Sequence, residues 1–245
     1  MEYKEIGDKY QKLTKYARNA MPRHRLNWSA QPSLQKSFPD AHETLSLSPP
    51  ETKGGPPLWD VIRVRRSLRS YAREPITLEE LSQLLWATQG TTLEVSGYKF
   101  RAAPSAGALY PIETYLAVNR VQGLKAGMYH FDAVDGKLQL LEEGDFGPGA
   151  AAAALDQPMV EQAALVFIWT AVVERAKWKY LERAYRYIYL DAGHIGQNLY
   201  LAATALGLGC CAIGALYDEE VNELVGADGV NETAVYMCAV GKLQS

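Results

Sequence analysis

Cysteine is scarce in this 245-residue chain, with three in all, at positions 210, 211 and 238. Cys210 and Cys211 are adjacent, which suits a structural disulfide poorly, and no C-x-x-C or other metal-ligand spacing occurs. The three are expected to serve as small buried apolar residues in a reduced compartment, with no metal site. Neither sign of charge is in excess, 25 Lys and Arg standing against 28 Asp and Glu. That balance gives no global pull toward nucleic acid or an anionic membrane. Long apolar runs are missing too, since the longest, Ala163 to Val173, is too short to span a bilayer. Met1-Glu2-Tyr3-Lys4-Glu5 lacks the apolar core of a signal peptide. What remains is the expectation of a soluble cytoplasmic protein, and 48% hydrophobic residues suffice for one well-buried α/β domain.

The chain divides by composition. Residues 1–57 hold seven of the twelve prolines, at 22, 32, 39, 49, 50, 56 and 57. Beyond a first helix through Tyr10 to Ala20 they show little periodicity. Such a segment closes no core of its own, so it reads as an arm lying over its own chain or a partner, or as partly disordered over 27–50. Residues 58–245 are regular and form the main domain.

Within that domain, Leu58, Trp59 and Ile62 mark a short helix leading to Arg65. Thr77-Leu78-Glu79-Glu80 is a capping box; Leu81, Leu84, Leu85 and Thr88 share a helical face, and Gly90 ends that helix. Thr114 to Asn119 suits a strand. Gly127 to Asp132 and Lys137 to Glu142 flank a Val134-Asp135-Gly136 hairpin turn. Ala150 to Leu155 suits a helix and Ala164 to Val173 a buried strand. A long helix is expected from Tyr180 to Leu206, on the periodicity of Ile188, Ala192, Ile195, Leu199 and Ala203. Gly193 and Gly196 inside it point to close packing of helix against helix across a dimer axis. Strand Cys210 to Leu216, helix Asp218 to Val225 and strand Thr233 to Val240 complete the chain.

Against a neutral background, Arg63, Arg65, Arg66, Arg69 and Arg73 form a local basic run. It is either a solvated helix start or an anion site, and nothing elsewhere extends it into a nucleic-acid footprint. Guanidinium groups offer five fixed donors each, which suits a phosphate and a polar ring edge. Downstream, Ala103-Pro104-Ser105-Ala106-Gly107-Ala108-Leu109-Tyr110-Pro111 exposes backbone amides with little side-chain bulk, as a flat ligand needs. Together the two segments read as halves of a flavin mononucleotide (FMN) site.

These segments, with the string Asp191-Ala192-Gly193-His194-Ile195-Gly196-Gln197-Asn198 and Gly207-Leu208-Gly209, resemble the nitroreductase family over residues 58 to 243. The pattern is most similar to its SagB-type (thiazole/oxazole oxidase-like) subfamily. The resemblance implies an α+β fold, a mixed, mostly antiparallel sheet flanked by helices, in an interlocked homodimer with shared flavin sites. It assigns Arg65, Ser67 and neighbouring Arg66 to the FMN phosphate and ribityl chain, and Arg69 to the pyrimidine edge. Pro104, Ser105, Ala106 and Gly107, with Leu109, match the turn supplied by the opposite subunit. Ala212, Ile213, Gly214 and Ala215 match the strand passing the ring, and Lys242 a C-terminal phosphate contact.

The implied chemistry is hydride transfer at flavin N5, with the protein supplying alignment and electrostatics. Lys179-Tyr180, ahead of Tyr185-Arg186-Tyr187, matches a pair linked to azoline oxidation in SagB-type proteins. A lysine of lowered pKa or a tyrosinate would remove a proton there; an ordinary polar helix start is the equal alternative. His194 reads as a packing histidine or an acid. Two activities compete: NAD(P)H-linked reduction of nitro or quinone acceptors, and oxidation of azolines to azoles in modified peptides. A flavin-binding protein without a substrate is the third.

Overall fold

The computed structural model describes residues 5–19 and 24–244. Helix α1 spans Ile6–Leu13, earlier than the expected Tyr10 to Ala20, and Ala20 lies outside the described residues. Strand β1, Glu43–Ser46, joins the edge of the main sheet by pairing with β6, Lys137–Glu143. The N-terminal segment therefore lies on the body of its own chain. Helix α2 covers Leu58–Val64 and α3 covers Leu78–Gln89. The start of α3 is a complete capping box: the Glu80 amide donates to Thr77 Oγ1 at 3.1 Å and the Thr77 amide to Glu80 Oε2 at 2.8 Å.

A hairpin follows, β2 Thr91–Val95 and β3 Tyr98–Arg101, with Gly97 at a φ of +78° in its turn. The chain then runs through β4 Ile112–Val118, β5 Gly127–Asp132, β6, α4 Gly147–Ala153, α5 Pro158–Gln162 and β7 Leu165–Val172. Helices α6 Val173–Tyr180 and α7 Ala184–Ala205 come next, then β8 Leu208–Ile213, α8 Asp218–Val225 and β9 Glu232–Lys242. Among the described residues the main sheet has seven strands in the order β1-β6-β5-β4-β7-β9-β8, each paired antiparallel with its neighbours.

Both faces of the sheet are covered, which is why β4 is buried at every position. On one face Ile188, Ala192, Ile195, Leu199 and Ala203 of α7 pack with Leu81, Leu84 and Leu85 of α3 against Phe167 and Trp169. On the other, alanines of α4 and Val221 and Val225 of α8 cover Tyr115, Val166, Ile168 and Met237. The long helix expected from Tyr180 to Leu206 is α7; the short helix α6 ahead of it was not expected, and Leu181, at a φ of +50°, separates the two. Gly196 has a reason inside its own chain, since a Cβ there would lie 2.9 Å from the Tyr236 ring. Gly193 is open instead, with nothing within 4 Å. Cys210, Cys211 and Cys238 are free and buried, as small apolar residues would be. No helix among the described residues is long and apolar enough to cross a membrane.

Candidate active site

The arginine cluster leaves α2 at Arg65, whose amide still donates to the Val61 carbonyl at 2.9 Å. Beyond it the Leu68 amide donates to the Cys210 carbonyl at 3.0 Å, and the Tyr71 hydroxyl to the Leu68 carbonyl at 2.8 Å. These bonds place the segment beside β8, the edge strand of the sheet. The Arg65 guanidinium lies 5.1 Å from the centre of the Tyr200 ring. Ser67 Oγ is 2.8 Å from the Tyr200 hydroxyl, which also accepts the Ala212 amide at 2.8 Å. Arg65 and Ser67 therefore converge with the distant Ala212 on one tyrosine of α7.

Arg66 folds back, donating to the carbonyls of Arg65 at 2.7 Å and Arg63 at 3.2 Å. Arg63 pairs with Asp60, but among the described residues Arg65, Arg66 and Arg69 have no carboxylate within ion-pair distance. Three uncompensated cations on five residues repel one another, and a dianion between them would relieve that repulsion. Lys242 is committed elsewhere, 2.5 Å from Oε1 of Glu80, the glutamate that caps α3.

The second segment is held from the other end of α7. Asp191 accepts the Ser105 hydroxyl at 2.6 Å and the Ala106 amide at 3.2 Å. Ser105 Oγ in turn accepts the Tyr110 amide at 2.9 Å, closing a tight loop. Within it Gly107, Ala108 and Tyr110 have φ values of +67°, +53° and +44°. The two non-glycine residues there store strain, on the order of 1–2 kcal/mol each. Burial raises the Asp191 pKa, and the bonds from Ser105 and Ala106 only partly oppose it. Pro104 and Gly107 are exposed and Leu109 is buried beneath them.

Lys179 and Tyr180 close α6 against this same turn. A Cβ on Gly107 would lie 2.6 Å from the Tyr180 hydroxyl and 2.9 Å from Lys179 Nζ. Glycine is favoured here by its backbone angle, and a Cβ would push aside the ends of the two side chains above it. Burial, then Tyr187, Tyr16 and Asp191, hold the Tyr180 pKa above the ordinary phenol value. Tyr180 is a proton-bearing donor at neutral pH, not the tyrosinate considered above. Its ring packs 4.6 Å from that of Tyr187. His194 is exposed on α7, three residues beyond Asp191, whose raised pKa it acts to lower.

Ala212 and Ile213 end β8, and Gly214 and Ala215 continue it into solvent. A Cβ on Gly214 would meet only the Tyr236 ring, at 3.8 Å. The sequence reading missed Asp191 and Tyr200 as organising residues. Asp191 carried a signal, an acid three residues after Ile188 on the apolar face of the helix. Tyr200 carried none, because its role depends on where β8 returns. A separate cleft of about 850 Å³, lined in part by Tyr71, Arg73, Asn119 and Arg120, contains none of the expected site residues.

An α+β chain with a free arginine cluster at a sheet edge, and a strained glycine turn facing a Lys-Tyr pair, has a frame suited to an anionic, flat ligand. The particular family follows from sequence: the chain belongs to the nitroreductase family, whose profile matches residues 62–242. A Methanocaldococcus jannaschii protein named as a nitroreductase is 38% identical over 185 residues, covering 76% of this chain and 90% of that one. The trifolitoxin-processing protein TfxB of Rhizobium leguminosarum is 32% identical over 140 residues, covering 55% of this chain and 38% of that one. A crystal structure from Anabaena variabilis, named as a nitroreductase, superposes with a TM-score of 0.78 at 29% identity. It covers 96% of this chain, which spans 46% of that one.

Proposed function

We propose that this nitroreductase-family oxidoreductase binds FMN and oxidises an azoline ring carried on a peptide. The residues present fit the cofactor. Arg65, Arg66 and Arg69 are free of carboxylate partners among the described residues, as a phosphate site requires. Gly214 leaves backbone bare where a ring would lie, and Gly107 adds no side chain beneath the Lys179 and Tyr180 ends. Arg65, Arg66 and Ser67 would hold the phosphate and ribityl chain and Arg69 the pyrimidine edge. Pro104, Ser105, Ala106, Gly107 and Leu109 of a second copy would face the ring, beside Ala212, Ile213, Gly214 and Ala215. When bound, FMN supplies a reversible hydride acceptor at ring nitrogen N5.

The observation that carries the reading is the convergence of Lys179 Nζ and the Tyr180 hydroxyl on Gly107. Converting a thiazoline or oxazoline to its azole removes a proton and a hydride from adjacent ring carbons. Lys179 would take the proton at Nζ while the Tyr180 hydroxyl donates a hydrogen bond that orients the ring. A simple reductase of nitro compounds needs no such base. The kinship with a trifolitoxin-processing protein also supports a peptide substrate.

A second reading, NAD(P)H-linked reduction of nitro or quinone acceptors, is favoured by the 38% identity to a protein named as a nitroreductase. Anaerobic mixing separates the two. Loss of the yellow oxidised-flavin absorbance on adding a thiazoline peptide, abolished in Lys179→Ala with flavin still bound, is the expected result. Bleaching by NADH or NADPH, with none by the peptide, would favour the reductase. Bound flavin that nothing reduces would leave a binding protein.

A further inference from the structure

The N-terminal segment is bonded to α6 along that helix's length. Arg175 Nε donates to the Ser33 carbonyl at 2.7 Å, and Trp178 Nε1 to the Asn27 carbonyl at 2.9 Å. The Trp28 and Trp178 rings meet edge to face, 5.2 Å apart. Past α6, Arg183 and Arg186 donate to the carbonyls of Thr14 and Gln11, at 2.6 and 2.8 Å.

Arg175 alone among these continues inward. Its Nη1 lies 2.5 Å from Glu113 Oε1 and donates to the Tyr110 carbonyl at 3.2 Å. Glu113 is held by His130 Nε2 at 2.8 Å, whose other ring nitrogen meets Gln139 at 3.1 Å. Arg175, Glu113 and His130 are each more than nine-tenths buried. A buried guanidinium is retained only where its donors are met, and here one planar fork meets three acceptors, one on the N-terminal segment and two on the stretch from Tyr110 to Glu113. Tyr110 is the strained end of the Gly107 turn, and Lys179 stands one helical turn beyond Arg175.

We infer that Arg175 is a positioning residue, locking the N-terminal segment, the strained turn and the helix bearing Lys179 and Tyr180 into one rigid unit. Its consequence for chemistry rests on the azoline reading; the coupling itself does not. A lysine at 175 would keep a cation for Glu113 but lose the fork, so it would not serve Ser33 and Tyr110 together.

Hydrogen exchange on the protein as purified tests the coupling. In Arg175→Lys and Arg175→Met, amides of 106–110 and of 177–181 should both exchange about tenfold faster or more, with 115–117 and 166–169 unchanged. Should Arg175→Met fail to fold, Arg175→Lys decides. Unchanged exchange at either segment, or acceleration spread evenly through β4 and β7, would overturn the inference. With a thiazoline peptide, Arg175→Lys should lower kcat about tenfold at near-constant KM and flavin content. A rise in KM at unchanged kcat would overturn the positioning role. Wild-type protein without FMN would sink the functional reading, while the exchange comparison would still decide this one.

Discussion

Asp191 and Tyr200 stand nine residues apart on α7, and each organises one half of the candidate site. Nine residues advance a helix by about 13–14 Å and two and a half turns, which puts the two on opposite faces. One protomer therefore presents the arginine cluster and the glycine turn on opposite sides of a single helix. Two copies related by a twofold axis would complete two sites. The exposed stripe of Tyr189, Leu190, Gly193 and Gln197 on α7 is the surface this arrangement would cover.

Gly193 offers the test of that arrangement. It has open space around it within its own chain, so a large side chain should not disturb the fold of a protomer. Gly193→Arg should sediment as a folded monomer and lose its flavin. A flavin-replete dimer from this variant would count against the shared site.

Removing the Tyr200 hydroxyl should weaken flavin retention without unfolding the protein. Tyr200→Phe leaves Ser67 Oγ and the Ala212 amide without their common partner, a loss of about 1 kcal/mol or some fivefold in affinity. Fluorescence titration of stripped protein with FMN measures it. Wild-type affinity would mean that Tyr200 organises nothing the flavin uses.

At Gly107 a single methyl should do disproportionate harm. Gly107→Ala must occupy a φ of +67° and displace the Tyr180 hydroxyl and Lys179 ammonium. A stability loss of about 1–2 kcal/mol is expected from the backbone alone. Turnover of a thiazoline peptide should fall further than flavin content does. Equal falls in both would show that the Lys-Tyr pair is bystander structure.

Glu113 predicts the acid behaviour of the fold. Burial works to raise its pKa, but bonds and charge from His130 and Arg175 outweigh it, and the net shift is downward from 4.5. The folded state thus prefers the ionised form. Its contribution is complete above the unfolded value and is lost as pH falls through the depressed folded one. Urea unfolding from neutral pH down to about pH 3 should show a steeper acid decline in wild type than in Glu113→Gln, which starts about 3 kcal/mol lower. Parallel curves would remove Glu113 from the account.

Much of this fold was legible wherever one local rule acts alone. The Thr77–Glu80 capping box, the turn at Val134 to Gly136 and the buried stripe from Ile188 to Ala203 follow from short-range chemistry, and the structure contains each. The arm's strand β1 was not legible, because Glu43 to Ser46 alternates weakly and is fixed only by pairing with β6. Nor was α6, which starts at Val173 directly after β7 with no glycine or proline between them. In the site, the arginines and Gly107 announce themselves by residue type. The partners that aim them, Tyr200 and Arg175, act through contacts spanning 12 to 142 residues and leave no local pattern.

The central claim is that this chain holds FMN through the arginine cluster. It is tested most directly by releasing and identifying the chromophore of freshly purified protein, beside the Arg65→Ala, Arg69→Ala double variant. The account predicts about one FMN per chain in the wild type, with no FAD, and little or none in a folded double variant. Colourless wild-type protein that takes up no added FMN, or equal flavin in both, would contradict it.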